Sequence, residues 1–158
     1  MKALVIGGGP AGLMAAQCLA EAGRTVEVFD AMPSVGRKFL LAGKGGLNLT
    51  HSEPLAQFLP RYGPQRQRVT AWLEALSPDD IRDWARQLGV ETFIGSSGRV
   101  FPEEMKAAPL LRSWLRRLRS QGVSFSVRHR WLGWDHTGQL RFQSPDGEVL
   151  CRAEAVVL

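Results

Sequence analysis

The residues of this chain best suited to holding a cofactor are its early glycines and one acid. Lys2-Ala3-Leu4-Val5-Ile6 runs directly into Gly7-Gly8-Gly9-Pro10-Ala11-Gly12. A helix-compatible stretch follows, then Thr25-Val26-Glu27-Val28-Phe29-Asp30. Strand, glycine turn, helix, strand and acid, in that order, spell a dinucleotide-binding βαβ unit. A pyrophosphate needs backbone N–H donors at close range, and a helix N-terminus supplies them together with a favourable dipole. Gly7 permits the tight turn, Gly9 lets the main chain approach the phosphates, and Gly12 lets the helix pack on the sheet. Pro10 and Ala11 complete the turn and are placed among the cofactor-contacting residues. Asp30 ends the second strand, where a carboxylate accepts hydrogen bonds from ribose hydroxyls.

The next segment bears on which dinucleotide is held. Ala31-Met32-Pro33-Ser34-Val35-Gly36-Arg37-Lys38 follows the acid. The pair Gly36-Arg37 resembles the extension of flavoproteins that bind two dinucleotides, where it runs along the ribose and pyrophosphate of FAD. An acid at position 30 also argues against a 2′-phosphate. Gly36, Arg37 and Lys38 are therefore candidate FAD contacts, and a solvated loop is the alternative for the two cations. A second glycine-rich loop spans residues 40–53 and contains Lys44, Asn48 and Thr50. Small residues let such a backbone reach a flat ring and donate to flavin N1, O2 or N5. His51, next in line, is either a proton donor, a covalent flavin tether or a plain loop residue.

The second loop carries a family resemblance. Ala42-Gly43-Lys44-Gly45-Gly46-Leu47-Asn48-Leu49-Thr50-His51 resembles the Ser-Gly-x-Gly-Arg-Cys-Asn-x-Thr-Asn segment of NAD(P)/FAD-dependent oxidoreductases, the aminoacetone-oxidase-like and bile-acid-reductase-like flavoproteins. Asn48 and Thr50 match, while Gly46, Leu47 and His51 replace the Arg, Cys and final Asn. The run Gly-Lys-Gly-Gly-Leu-Asn-Leu-Thr-His-Ser-Glu is similar to a subgroup of that family. Gly98-Arg99-Val100-Phe101-Pro102-Glu103-Glu104-Met105-Lys106 and the closing Ala153-Glu154-Ala155-Val156-Val157-Leu158 also resemble it. The resemblance implies an FAD-dependent oxidoreductase that moves a hydride or electrons to or from a small molecule, with NAD(P)H as a reductant. It implies a backbone contact between the segment around Trp131 and the adenine, with ordinary packing of Trp131 as the alternative. Arg99 and Lys106 are further candidates for substrate or flavin contacts. The implied fold is α/β, a Rossmann-like FAD-binding core with a helical insertion and a small antiparallel β segment. The expected reading is the N-terminal fragment of a longer protein, with residues 1–50 as βαβ unit and flavin loop, 54–121 mostly helical and 123–158 returning to the sheet. No catalytic acid–base pair announces itself.

Periodicity supplies the remaining elements. Residues 54–59 read as a short turn. Residues 65–76 carry Val69, Trp72, Leu73 and Leu76 at helical spacing. Ser77-Pro78-Asp79-Asp80 reads as a helix start, with Ser77 as N-cap and the stop near Gly89. Residues 106–121 form an amphipathic helix, and 91–94, 99–101, 123–127, 130–134, 139–143 and 148–152 are strand candidates.

Composition narrows the function classes. The 158 residues permit one ordinary domain. No apolar run approaches the ~20 residues of a membrane span, and the glycine turn breaks any signal-peptide reading of the first residues. Two distant cysteines, Cys18 and Cys151, form no dithiol motif, which points to a reducing cytoplasm and to two buried, unreactive thiols. His51, His129 and His136 lack metal-ligand spacing, so no metal is expected. The net charge of +5 comes from arginine, notably Arg112, Arg116, Arg117 and Arg119. They alternate with an apolar stripe as on a solvated helix, and nucleic acid is not among the expected partners. The alternative to an enzyme is a non-catalytic flavin- or nucleotide-binding module, or a flavoprotein associated with RNA.

Overall fold

The computed structural model describes residues 2–158. The elements in chain order begin with β1 (Lys2–Ile6), α1 (Pro10–Glu21), β2 (Thr25–Asp30), α2 (Arg37–Ala42) and β3 (Thr50–His51). Next come α3 (Leu55–Phe58), a 3-10 segment (Leu59–Gln65), α4 (Arg66–Ala75), α5 (Pro78–Gln87), β4 (Thr92–Ile94) and β5 (Arg99–Pro102). The last are α6 (Ala107–Ser120), β6 (Ser124–Val127), β7 (Arg130–Trp134), β8 (Leu140–Ser144), β9 (Gly147–Cys151) and β10 (Ala155–Val157). They form two compact units, Met1–Phe39 with Trp114–Leu158, and Leu40–Ser113. Among the described residues no helix is long and apolar enough to cross a membrane.

The first unit is the Rossmann part. Its parallel sheet runs β10-β1-β2-β6, with Val5 opposite Val28 and Val157, and Val28 opposite Phe125. Ala3, Leu4 and Val5 are fully buried, as in a strand covered on both faces. Val5 faces α1, where Leu13 and Ala16 are also fully buried. Leu4 faces the other way and joins Phe29, Leu140 and Phe142 in one cluster. Phe142 comes from an antiparallel meander, β7-β8-β9, and its ring stacks on Phe29 at 4.1 Å. The middle of α6 contributes Trp114, whose buried indole N–H donates to Gln17 Oε1 on α1 at 2.7 Å.

The second unit joins a three-stranded antiparallel sheet, β3-β5-β4, to α3, α4 and α5. The start of α5 follows its sequence signal. Asp80 N–H donates to Ser77 Oγ, Ser77 N–H donates to the Asp80 carboxylate, and Pro78 takes the first turn. The helix stops before Gly89, whose φ of +77° suits glycine.

Most expected elements form within a residue or two of their predicted bounds, and three local features differ. Residues 37–42 close into a helical turn instead of running on as a loop. The predicted turn at 54–59 is α3, continued by 3-10 turns that break at Gly63 with φ +51°. Cys18 is exposed rather than buried, because Leu13, Ala16 and Gln17 define the inward face of α1 and position 18 falls outside it.

Two substitutions test this packing. Phe142→Ala removes the stacked ring from the cluster and should cost about 3–5 kcal/mol in denaturant unfolding. A Cβ placed on Gly12 runs into the Gly7 carbonyl oxygen and approaches Val5 Cγ1 at 3.2 Å. Gly12→Ala should therefore cost roughly 1–3 kcal/mol, read in the same assay.

Candidate functional site

The glycine turn is fixed from three directions within the first unit. Gly7 takes φ +102° and donates its N–H to Phe29 O at 2.7 Å, which ties the end of β1 to β2. Gly8 N–H donates to Asp30 Oδ2 at 2.8 Å, and Met32 N–H donates to Asp30 Oδ1 at 2.8 Å. Gly36, at φ +74°, donates its N–H to Gly8 O at 2.7 Å. Val35 is buried and packs where a Cβ on Gly8 would lie. The turn between β6 and β7 holds the same loop, through His129 N–H to Asp30 O at 2.9 Å and Arg128 N–H to Met32 O at 3.0 Å.

Gly9 stands apart from this lattice. It is the N-cap of α1, with φ −78° and ψ 178°, and a Cβ built on it meets nothing within 4 Å. Pro10 follows at the first turn, and among the described residues no side chain caps the helix and no acidic residue occupies that turn. Pro10 and Ala11 are both exposed. An uncapped helix start with an open approach and no acidic side chain in its first turn fits a pyrophosphate. Asp30 keeps acceptor capacity as well, since two amide donors leave a carboxylate further lone pairs for a ribose.

The structure thus brings Gly7, Gly9, Pro10, Ala11, Gly12, Asp30 and Gly36 to one turn. Arg37 and Lys38 begin α2 with exposed side chains. Trp131 lies on β7, two residues after His129, and its ring packs against the Leu4–Phe29–Leu140–Phe142 cluster and edge-on to Trp134 at 4.8 Å. Its buried indole N–H has no acceptor among the described residues. Gly8 and Val35 are the positions sequence reasoning missed. Three successive glycines, where the motif asks only for the first and third, were the available signal.

Lys44, Asn48 and Thr50 belong to the second unit. Lys44 and Asn48 are exposed, while Thr50 is half-buried in β3. Their loop is laid down by Leu47 N–H to Met105 O at 3.0 Å and Leu49 N–H to Val100 O at 2.9 Å. His51 is engaged at both ring nitrogens, Nε2 with Ser97 O at 3.1 Å and Nδ1 accepting from Glu53 N–H at 3.2 Å. Its ring also fills the space a Cβ on Gly98 would need, where φ is +77°. These partners fit a loop clamp with the proton on Nε2. They leave neither nitrogen free to shuttle a proton or attach a flavin.

Known proteins resemble this chain in sequence and in fold. A ribosomal RNA dihydrouridine synthase of Haemophilus influenzae is 46% identical over 50 residues, 32% of this chain and 12% of that protein. A D-amino acid dehydrogenase of Dechloromonas aromatica is 38% identical over 73 residues, 46% of this chain and 16% of that protein. The matches thus cover under a fifth of either relative's length. The 3-ketosteroid-Δ4-(5α)-dehydrogenase of Rhodococcus jostii superposes with a TM-score of 0.71 at 17% identity, over 98% of this chain and 44% of that one. A flavocytochrome c3 fumarate reductase gives a TM-score of 0.70 at 19% identity, over 99% of this chain and 33% of that one. At such identities the likeness is one of fold. The family described as the HI0933-like protein Rossmann domain matches residues 1–158, and this chain belongs to it.

Proposed function

We propose that the chain forms the FAD-holding part of a flavin-dependent oxidoreductase acting on a small molecule, with NAD(P)H as reductant. The observation that carries this is the open, uncapped turn at Gly9 beside an Asp30 already positioned by two amides. The Gly7–Gly12 turn would take the pyrophosphate and Asp30 the ribose. Gly36, Arg37 and Lys38 would follow the diphosphate, the last two through their charge. The backbone near Trp131 would meet the adenine, and Lys44, Asn48 and Thr50 would lie by the isoalloxazine. When bound, the flavin supplies hydride or electron transfer, and the protein orients it and excludes water. The fold neighbours named above support the class, since one is described as a dehydrogenase and one as a fumarate reductase.

Gly9 gives a clean test because its side-chain space is empty. Gly9→Val in the full-length protein should leave apoprotein unfolding unchanged and weaken FAD retention by at least about tenfold, read by visible absorbance after dialysis. A Gly9→Val protein that keeps a full complement of flavin would refute the assignment.

A second reading has its own support. The identity to a ribosomal RNA dihydrouridine synthase favours a substrate base carried on RNA, and Arg112, Arg116 and Arg119 are exposed on α6. If these three contact phosphates of single-stranded RNA, log Kobs should fall against log salt with a slope of about −2. Arg116→Gln should reduce that slope by about 0.7. RNA retention that is absent or indifferent to salt would leave the small-molecule reading alone.

A further inference from the structure

The unit Leu40–Ser113 contains a cavity of about 520 Å³ beside β3, within the ~300–1,000 Å³ range of small-molecule sites. Leu49, Phe58, Leu73, Leu76 and Ile81 give it an apolar wall. Its two charged lining residues, Arg61 and Arg99, are both basic, and they differ in how far they are already satisfied. Arg61 Nη2 donates to Glu53 Oε2 at 3.0 Å, and its Nε meets the other oxygen of the same carboxylate. His51 has both nitrogens engaged. Arg99 also lines the cavity, and among the described residues no carboxylate pairs with it. It sits on β5 directly opposite His51 in the β3–β5 ladder, so its backbone is held by the same clamp that fixes the loop.

We propose that this cavity binds a small molecule with an apolar body and a single carboxylate, and that Arg99 reads the carboxylate. One uncompensated guanidinium matches one negative charge. Its planar fork suits the two oxygens of a carboxylate. The aliphatic and aromatic wall takes the body, whose burial supplies affinity in proportion to its apolar area. Glu53 keeps Arg61 out of the recognition step, and Arg99 alone discriminates the anion from its neutral isostere. The assignment does not rest on the pyrophosphate turn, because every residue it uses lies within the second unit, and it deepens the proposed function, since Asn48 and Thr50, placed beside the isoalloxazine above, line the same cavity.

The test is a saturation-transfer NMR titration of the full-length protein with phenylpropionate and with phenylpropionamide at low ionic strength. The acid should bind about fivefold more tightly than the amide, a modest factor because Arg99 is exposed. Arg99→Gln, a surface change that spares the fold, should erase that preference and leave amide affinity unchanged. Leu73→Trp, checked for unaltered circular dichroism, should weaken both ligands by filling the cavity. The proposal is overturned if neither compound binds, if the two bind alike to the wild-type protein, or if Arg99→Gln retains the preference. Undiminished binding in a folded Leu73→Trp protein would also overturn it, by placing the ligand elsewhere.

Discussion

The carboxylate of Asp30 is the constraint on which the glycine turn after β1 depends. One oxygen takes the Gly8 amide and the other the Met32 amide, so a single side chain joins the turn after β1 to the loop after β2. The main-chain oxygen of the same residue accepts from His129, which brings in the turn between β6 and β7. Three connections distant in sequence thus meet at one residue. Hydrogen bonds to a charged group contribute about 1.5–3 kcal/mol each, and losing the acceptor leaves the amides unpaired. Gly36 completes the arrangement by donating to Gly8 O while Val35 fills the space beside it. Gly8 is glycine because neighbours occupy its side-chain position. Gly9 presents the opposite case, with no atom of the described residues within 4 Å of its side-chain position.

Rigidity in this turn follows from the sheet beneath it. β1 is buried on both faces, by α1 on one and by the meander β7-β8-β9 on the other. The Phe29–Phe142 stack couples that meander to β2, one residue before Asp30. Trp131 belongs to the same packing, which gives its ring a structural role whatever its backbone contacts. For the pyrophosphate role proposed above, such support would matter, since preorganised amides need not be ordered on binding.

The second unit uses histidine where the first uses a carboxylate. His51 spans the Ser97 carbonyl and the Glu53 amide, and its ring occupies the ground above Gly98. The clamp orders the Asn48–Thr50 segment along β5 and places Arg99 at the cavity. Charge is apportioned in the same neighbourhood, with Glu53 absorbing Arg61 and leaving Arg99 to solvent or ligand.

The sequence alone determined the features that depend on local backbone chemistry. The βαβ order, the tight turn at Gly7, the Ser77 N-cap, the α5 stop before Gly89 and the amphipathic α6 all follow from residue type and short spacing. Each needs only a permitted φ, a cap or a repeating apolar stripe. The tertiary structure decided what arises between segments far apart in the chain. The reason for glycine at position 8 is supplied by Val35 and Asp30, and the exposure of Cys18 by which face of α1 meets β1. His51 Nε2 finds its acceptor because the hairpin at Gly98 brings Ser97 against it, and among the described residues Glu53 pairs with Arg61 while no carboxylate pairs with Arg99. Such pairings depend on distances across the fold, and a one-dimensional pattern carries no record of them.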